Sequence, residues 1–158
     1  MNFERLHIFL FNLTSGGFTI LYLTAGKKKP DLRISIFYII SITFAVLAFF
    51  KLYLLAAICG VILAIIVETY RRQRFSFFPW MFFRVGDSAS VKFHHASLLC
   101  LVIALLMSSF VIINDVYLKL FYFEKLTLDV FFLGFSFPVS LITMSIIFGI
   151  IESDGVKW

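Results

Sequence analysis

Ionisable side chains are scarce in this sequence. Asp, Glu, Lys and Arg make up 15% of its 158 residues, against about 25% in an average soluble domain. Hydrophobic residues make up 61%, and the mean hydropathy is +1.01. Soluble domains hold roughly 45–50% apolar residues. A soluble fold of this size has too little interior to hide so much apolar surface, so lipid is the expected solvent. No polar stretch is long enough for a separate soluble domain, and residues 1–158 read as one membrane domain.

Other absences remove classes of chemistry. The two cysteines, Cys59 and Cys100, fall in separate apolar runs. Disulfides and thiolate metal sites need convergent, accessible thiols, so both read as small buried hydrophobic groups and no metal site is expected. There is no glycine-rich phosphate loop, HExxH, paired CxxC, nucleophile elbow or internal repeat. Acidic or basic residues are almost missing from the apolar runs, which argues against an ion-coupled transporter with an intramembrane relay. Positive charge does not precede the first apolar run in signal-peptide fashion, because Glu4 nearly balances Arg5 and the lysines come after it. That run reads as a retained span.

What is present is a series of apolar runs of helical length. A helix needs about 20 residues to cross a bilayer. The runs place transmembrane helices at roughly 6–25, 34–50, 53–69, 96–113 and 130–151, and the fold class is an all-α, five-span integral membrane protein. The 36 residues from Ile34 to Thr69 are interrupted by one charge, Lys51, before Glu68 next to their end. As one helix they would extend about 54 Å, too far for a tilted span. The break falls at Phe50–Tyr53, where Lys51 can snorkel and Tyr53 suits the interface, although neither Gly nor Pro stands there. Gly26 suits a helix C-cap and Asp87 or Ser88 a helix N-cap. Pro138 is expected to kink the fifth span.

The first span carries Asn12, Ser15, Gly16 and Thr19 at i, i+3, i+4, i+7, a small, weakly polar face expected to pack against a neighbouring helix.

Basic residues sort by side. Lys27, Lys28, Lys29, Arg33, Arg71, Arg72, Arg74, Arg84, Lys92 and Lys157 fall on one side of a five-span chain, and Arg5, Lys51, Lys119 and Lys125 on the other. The richer side is cytoplasmic, which puts the N-terminus outside and the C-terminus inside, in a plasma or bacterial inner membrane. The formal net charge of +5 is thereby read as topological, with no nucleic-acid partner.

The connection at residues 70–95 organises the rest. Between flanking arginines lies FSFFPWMFF, Phe75–Phe83, too short to span and too apolar for a solvated loop. It reads as an interfacial segment resting on the cytoplasmic leaflet. Glu68 stands three and four residues before Arg71 and Arg72, a spacing that pairs them on a helix. Arg71, Arg72, Arg74, Trp80 and Arg84 are the candidate contacts for anionic headgroups or a partner. Asp87, His94 and His95 are the candidate catalytic set, because His moves protons near neutral pH and Asp can orient it. No cofactor is expected. For haem, His7 lies at the opposite end of the membrane from His94 and His95, and those two point about 100° apart on one helix, so no pair sandwiches a ring, which leaves only one His with another ligand or with a second protein's His.

The sequence therefore points to a non-catalytic subunit or assembly factor of a larger membrane complex, bound to the lipid bilayer and to a membrane-protein partner or a second copy. A small transporter or channel component is the alternative, and an interfacial enzyme using Asp87, His94 and His95 a second.

Overall fold

A computed structural model describes residues 11–26, 31–76, 78, 80–83, 86–121 and 136–153. Among these the chain is helical without strands. The α-helices are α1 (Gly17–Ala25), α2 (Leu32–Phe49), α3 (Tyr53–Arg74), α4 (Ala89–Ile113) and α5 (Ser136–Ser153). A π-helical segment, Phe11–Gly16, leads into α1, and another, Asn114–Leu118, prolongs α4. Trp80–Phe83 forms a short 3-10 turn.

Three helical stretches are long and apolar enough to cross a membrane: Leu32–Phe49, Tyr53–Arg74 and Ala89–Leu118. The apolar stretch in α5, Phe137–Ser153, is shorter. The ends of the expected first and fifth spans, 6–10 and 130–135, lie outside the described residues, as do His7, Lys27–Lys29, Pro79, Arg84 and the C-terminal tail.

α4 is the central helix. It packs most extensively against α3 on one side and α5 on the other, α2 packs on α3, and α1 rests against α2, α3 and α5. Phe37, Phe44, Leu63, Leu98, Leu101 and Leu105 are fully enclosed at the meeting surfaces. The outward faces are apolar too: Ile39, Leu54, Ile65 and Ile103 are each at least half exposed.

The break between α2 and α3 falls where chain length demanded it. Leu52 N–H bonds Leu47 O at 2.9 Å and Lys51 N–H bonds Ala48 O at 3.2 Å. This is a Schellman closure, whose left-handed position is ordinarily glycine. Here Lys51 takes it, with φ 60°. Gly26 closes α1 in the same left-handed region, at φ 62°.

Several boundaries and faces differ from expectation. The interfacial segment expected at 70–95 is shorter, because α3 continues through Arg74 and α4 begins at Ala89. The fourth helical stretch likewise runs 89–118 rather than 96–113, passing Asn114 and Asp115. Its early start has a tertiary cause. Glu152, at the end of α5, accepts hydrogen bonds from the Ser88 hydroxyl and, at 3.0 Å, from Ala89 N–H. A carboxylate there satisfies an orphan amide and favours the positive helix end. Pro138 falls in the first turn of α5, where a missing N–H breaks no helical bond. Its carbonyl accepts from Ser97 Oγ at 2.7 Å.

The expected packing face of the first span is also displaced. Gly16 is buried against Val139, but Ser15 and Thr19 are exposed, and Thr19 Oγ1 bonds Ser15 O within its own helix. Asn12 is half-buried. The inward face is Leu13, Gly17, Ile20, Leu21 and Thr24. This face keeps helical spacing but is turned by one residue, about 100°, from the expected one, because burial of Leu13, Ile20 and Leu21 rather than small polar side chains sets which side meets the bundle.

Close helix approach occurs at Gly16 and at further seams. A Cβ on Gly60 of α3 would collide with Ser109 Oγ of α4, and that hydroxyl bonds Ala57 O at 3.0 Å. Ser90 and Ser145 exchange hydroxyl-to-carbonyl bonds of 2.7 and 2.8 Å across α4 and α5. Both seams rely on small residues that let backbones approach.

Candidate functional site

The C-terminal ends of α1, α3 and α5 meet the N-terminal end of α4, and the polar residues singled out above gather there. α3 brings Glu68 and, about one turn further on, Arg71, Arg72 and Arg74. α4 brings His94 and His95, adjacent and therefore turned about 100° apart.

Arg71 is the centre of one cluster. It is 2% exposed. Its Nε and Nη2 donate to the two oxygens of Glu68, each at 2.7 Å. Arg72 Nε donates to Glu68 Oε1 at 2.8 Å. The spacing that suggested these pairs is realised, and one carboxylate serves two guanidinium groups. Arg71 Nη1 donates to Ser76 O at 3.1 Å and to His95 Nε2 at 2.9 Å. A buried guanidinium needs this many acceptors, because an unpaired charge in a low-dielectric interior is costly.

His95 is fully enclosed. Its ring lies between Phe75 and Phe82, with centroids at 4.7 and 5.2 Å and interplanar angles of 6° and 10°. Two residues of the aromatic segment thus fold inward and close the end of the bundle. Phe78, Trp80 and Phe83 stay outside, at 52%, 66% and 76% exposure. His95 Nδ1 is buried without a hydrogen-bond partner among the described residues.

His94 belongs to a second cluster. Its Nε2 lies 2.8 Å from Thr24 Oγ1 at the end of α1. Arg74 Nη1 donates to Thr24 O at 2.9 Å, and Leu23 O lies at 3.5 Å. Arg74 therefore caps the carbonyl end of α1, where a cation also favours the helix dipole. A polar cavity of about 330 Å³ adjoins it, lined by Thr24, Asp31, Tyr70, Gln73 and Arg74.

The structure does not join Asp87 to either histidine. Their partners are Thr24 and Arg71, and Asp87 stands in the turn before α4. Nor does it make one cluster of the four described headgroup candidates: Arg71 is internal, Arg74 binds α1, and Arg72 and Trp80 face outward. Sequence reasoning missed Thr24, Ser76 and Glu152 as partners. Each acts on a residue in another element or past a helix end, and no local pattern signals that. Among the described residues no group of three or more His, Cys, Asp or Glu is placed to hold a metal.

Beside the first cluster a groove of about 640 Å³ runs between α3 and α4. Its head is Glu68, Arg71 and Arg72, its flank is Phe78, and its length is lined by apolar side chains such as Ile65, Val102 and Leu106.

Compared with protein-family models, curated proteins and solved structures, the chain matches none.

Proposed function

We propose that the chain is a five-span integral membrane protein of the plasma or bacterial inner membrane, acting without catalysis as a subunit or assembly factor of a larger membrane complex. The observation that carries this reading is the use made of the reactive groups. Glu68, Arg71, Arg74, His94, His95 and Glu152 fasten helix ends to one another. A general base must reach the proton it takes, whereas both histidines are committed to structural bonds and His95 is fully enclosed.

Apolar outward faces on α2, α3 and α4 support lipid as the solvent. Trp80 and Phe83, outside the bundle at its basic end, supply an aromatic surface larger than a solvated turn tolerates. That surface suits the interface of a partner or the headgroup layer.

The test is purification from native membranes in mild detergent, with quantitative mass spectrometry of co-eluting chains. The expected result is a partner in fixed stoichiometry that Trp80→Ala, still membrane-inserted, releases. Elution as a chain without partners, together with solute flux in vesicles, would establish the transporter reading instead. Turnover of a substrate lost in His94→Ala would establish the enzyme reading.

A further inference from the structure

The groove between α3 and α4 is divided along its length in the way an amphiphile is. Its head holds two arginines and one carboxylate, a net single positive charge. Apart from Thr69, the rest is hydrocarbon. From Arg72 to Ile65 along α3 is about 10 Å, and from Leu99 to Leu106 along α4 also about 10 Å, so the apolar part extends about two turns along both helices.

The head is built rather than incidental. Arg71, 2% exposed, is held by Glu68, Ser76 O and His95, so its charge cannot swing away. Glu68 accepts from Arg71 at both oxygens and from Arg72 at Oε1, which orients the carboxylate towards the arginines. The Arg72 side chain remains 57% exposed. Phe78, 52% exposed, flanks the groove and packs on Trp80 with centroids 4.8 Å apart. Aromatic side chains of this kind settle at headgroup depth.

We infer that this groove takes one acyl chain of an anionic phospholipid, with the lipid phosphate against Arg72. Charge complementarity selects the headgroup, because the net positive head favours an anionic lipid over a zwitterionic one. The apolar lining excludes a free phosphate as the natural occupant, since an ion leaves the hydrocarbon part unfilled. The inference rests on the membrane reading above and deepens it by naming a bound component.

The test uses the full-length protein in detergent, titrated with equal amounts of dioleoylphosphatidylglycerol and dioleoylphosphatidylcholine and read by native mass spectrometry. The wild type is expected to retain the anionic lipid about five-fold or more over the zwitterionic one, a ratio matching the attraction of one Arg near an anionic surface. Arg72→Gln should bring the ratio near one. Thr69→Trp, which places an indole over the groove from an exposed position, should lower retention of both lipids. Should either variant fail to fold, high salt provides a second arm: at 1 M, where screening acts over about 3 Å, the wild-type preference should fall.

Equal retention of the two lipids by the wild type overturns the inference. So does a preference that Arg72→Gln and salt leave intact, or a groove occupied by a second copy or a partner helix. Alkaline carbonate extraction separates this failure from that of the underlying reading. A protein that stays in the membrane but shows no lipid preference sinks the lipid site alone, whereas a protein released by carbonate sinks the membrane reading first.

Discussion

His94 and His95, neighbours on α4, use the same ring nitrogen in opposite senses. The single hydroxyl hydrogen of Thr24 goes to Ile20 O at 2.7 Å, so His94 Nε2, 2.8 Å from that oxygen, must donate. Arg71 has only donors, so His95 Nε2 must accept, and its proton sits on Nδ1. The turn of about 100° between adjacent helical residues hands one ring to α1 and the other to α3. Nitrogen-15 spectra of histidine-labelled protein should show a protonated Nε2 for His94 and a protonated Nδ1 with an unprotonated Nε2 for His95. Two histidines of the same tautomer would refute this hydrogen-bond assignment.

The His95 ring is expected to contribute more by stacking than by hydrogen bonding. His95→Phe keeps a flat ring between Phe75 and Phe82. It loses one acceptor for Arg71, but also removes the buried Nδ1–H that lacks a partner among the described residues. These effects oppose each other, each on the order of 1–3 kcal/mol. The expected net change is within about 1 kcal/mol of wild type. His95→Ala should cost about 3 kcal/mol through the cavity it leaves. Thermal unfolding in detergent distinguishes them, and equal losses for Phe and Ala would show that the stack contributes little.

Gly60 sets the approach of α3 to α4. In Gly60→Ala the new methyl meets Ser109 Oγ, which must turn away and give up its bond to Ala57 O. A loss of about 1–3 kcal/mol is expected. In a Ser109→Ala background the same substitution should cost at least about 0.5 kcal/mol less, which a double-mutant cycle reads directly. An equal cost in both backgrounds would place the clash elsewhere.

Lys51 occupies a left-handed position, φ 60°, that favours glycine. An L-residue there costs roughly 1–2 kcal/mol, partly offset by the greater flexibility of glycine in the unfolded chain. Lys51→Gly is therefore expected to stabilise the protein by about 0.5–1 kcal/mol. An unchanged or lower unfolding temperature would contradict the strain argument.

The five-span reading also fixes sides. In a background without Cys59 and Cys100, single cysteines at positions 28, 76 and 158 should label from the cytoplasmic side, and those at 51 and 124 from the outer side. Labelling of 28 and 76 from opposite faces would rule out this topology.

Local features were readable where they depend on length or on one helical turn. The helix break at Lys51 followed from 36 residues being too many for one span. The Glu68 pairing with Arg71 and Arg72 followed from i+3 and i+4 spacing. The inward face of the first span was not legible because apolar residues surround the helix, and small, weakly polar residues such as Ser15 and Thr19 lie on its exposed side. His95 and Phe75 gave no hint of burial, since a histidine beside arginines and a phenylalanine in an aromatic run both look superficial until they are found stacked.

By itself the sequence determined that the chain forms long apolar helices, where α2 gives way to α3, and that basic charge gathers near a few helix ends. These depend on hydrophobic length and on neighbours within one turn. Only the tertiary structure decided which faces meet, why α4 starts at Ala89, and that Arg71 and His95 are internal while Arg72 and Trp80 are not. The reason is physical. When inward and outward faces are both apolar, hydropathy does not distinguish core from periphery. The choice passes to a few small residues and polar bonds, such as Gly60 against Ser109 and Glu152 on Ala89, whose partners lie some 50 to 60 positions away in the chain.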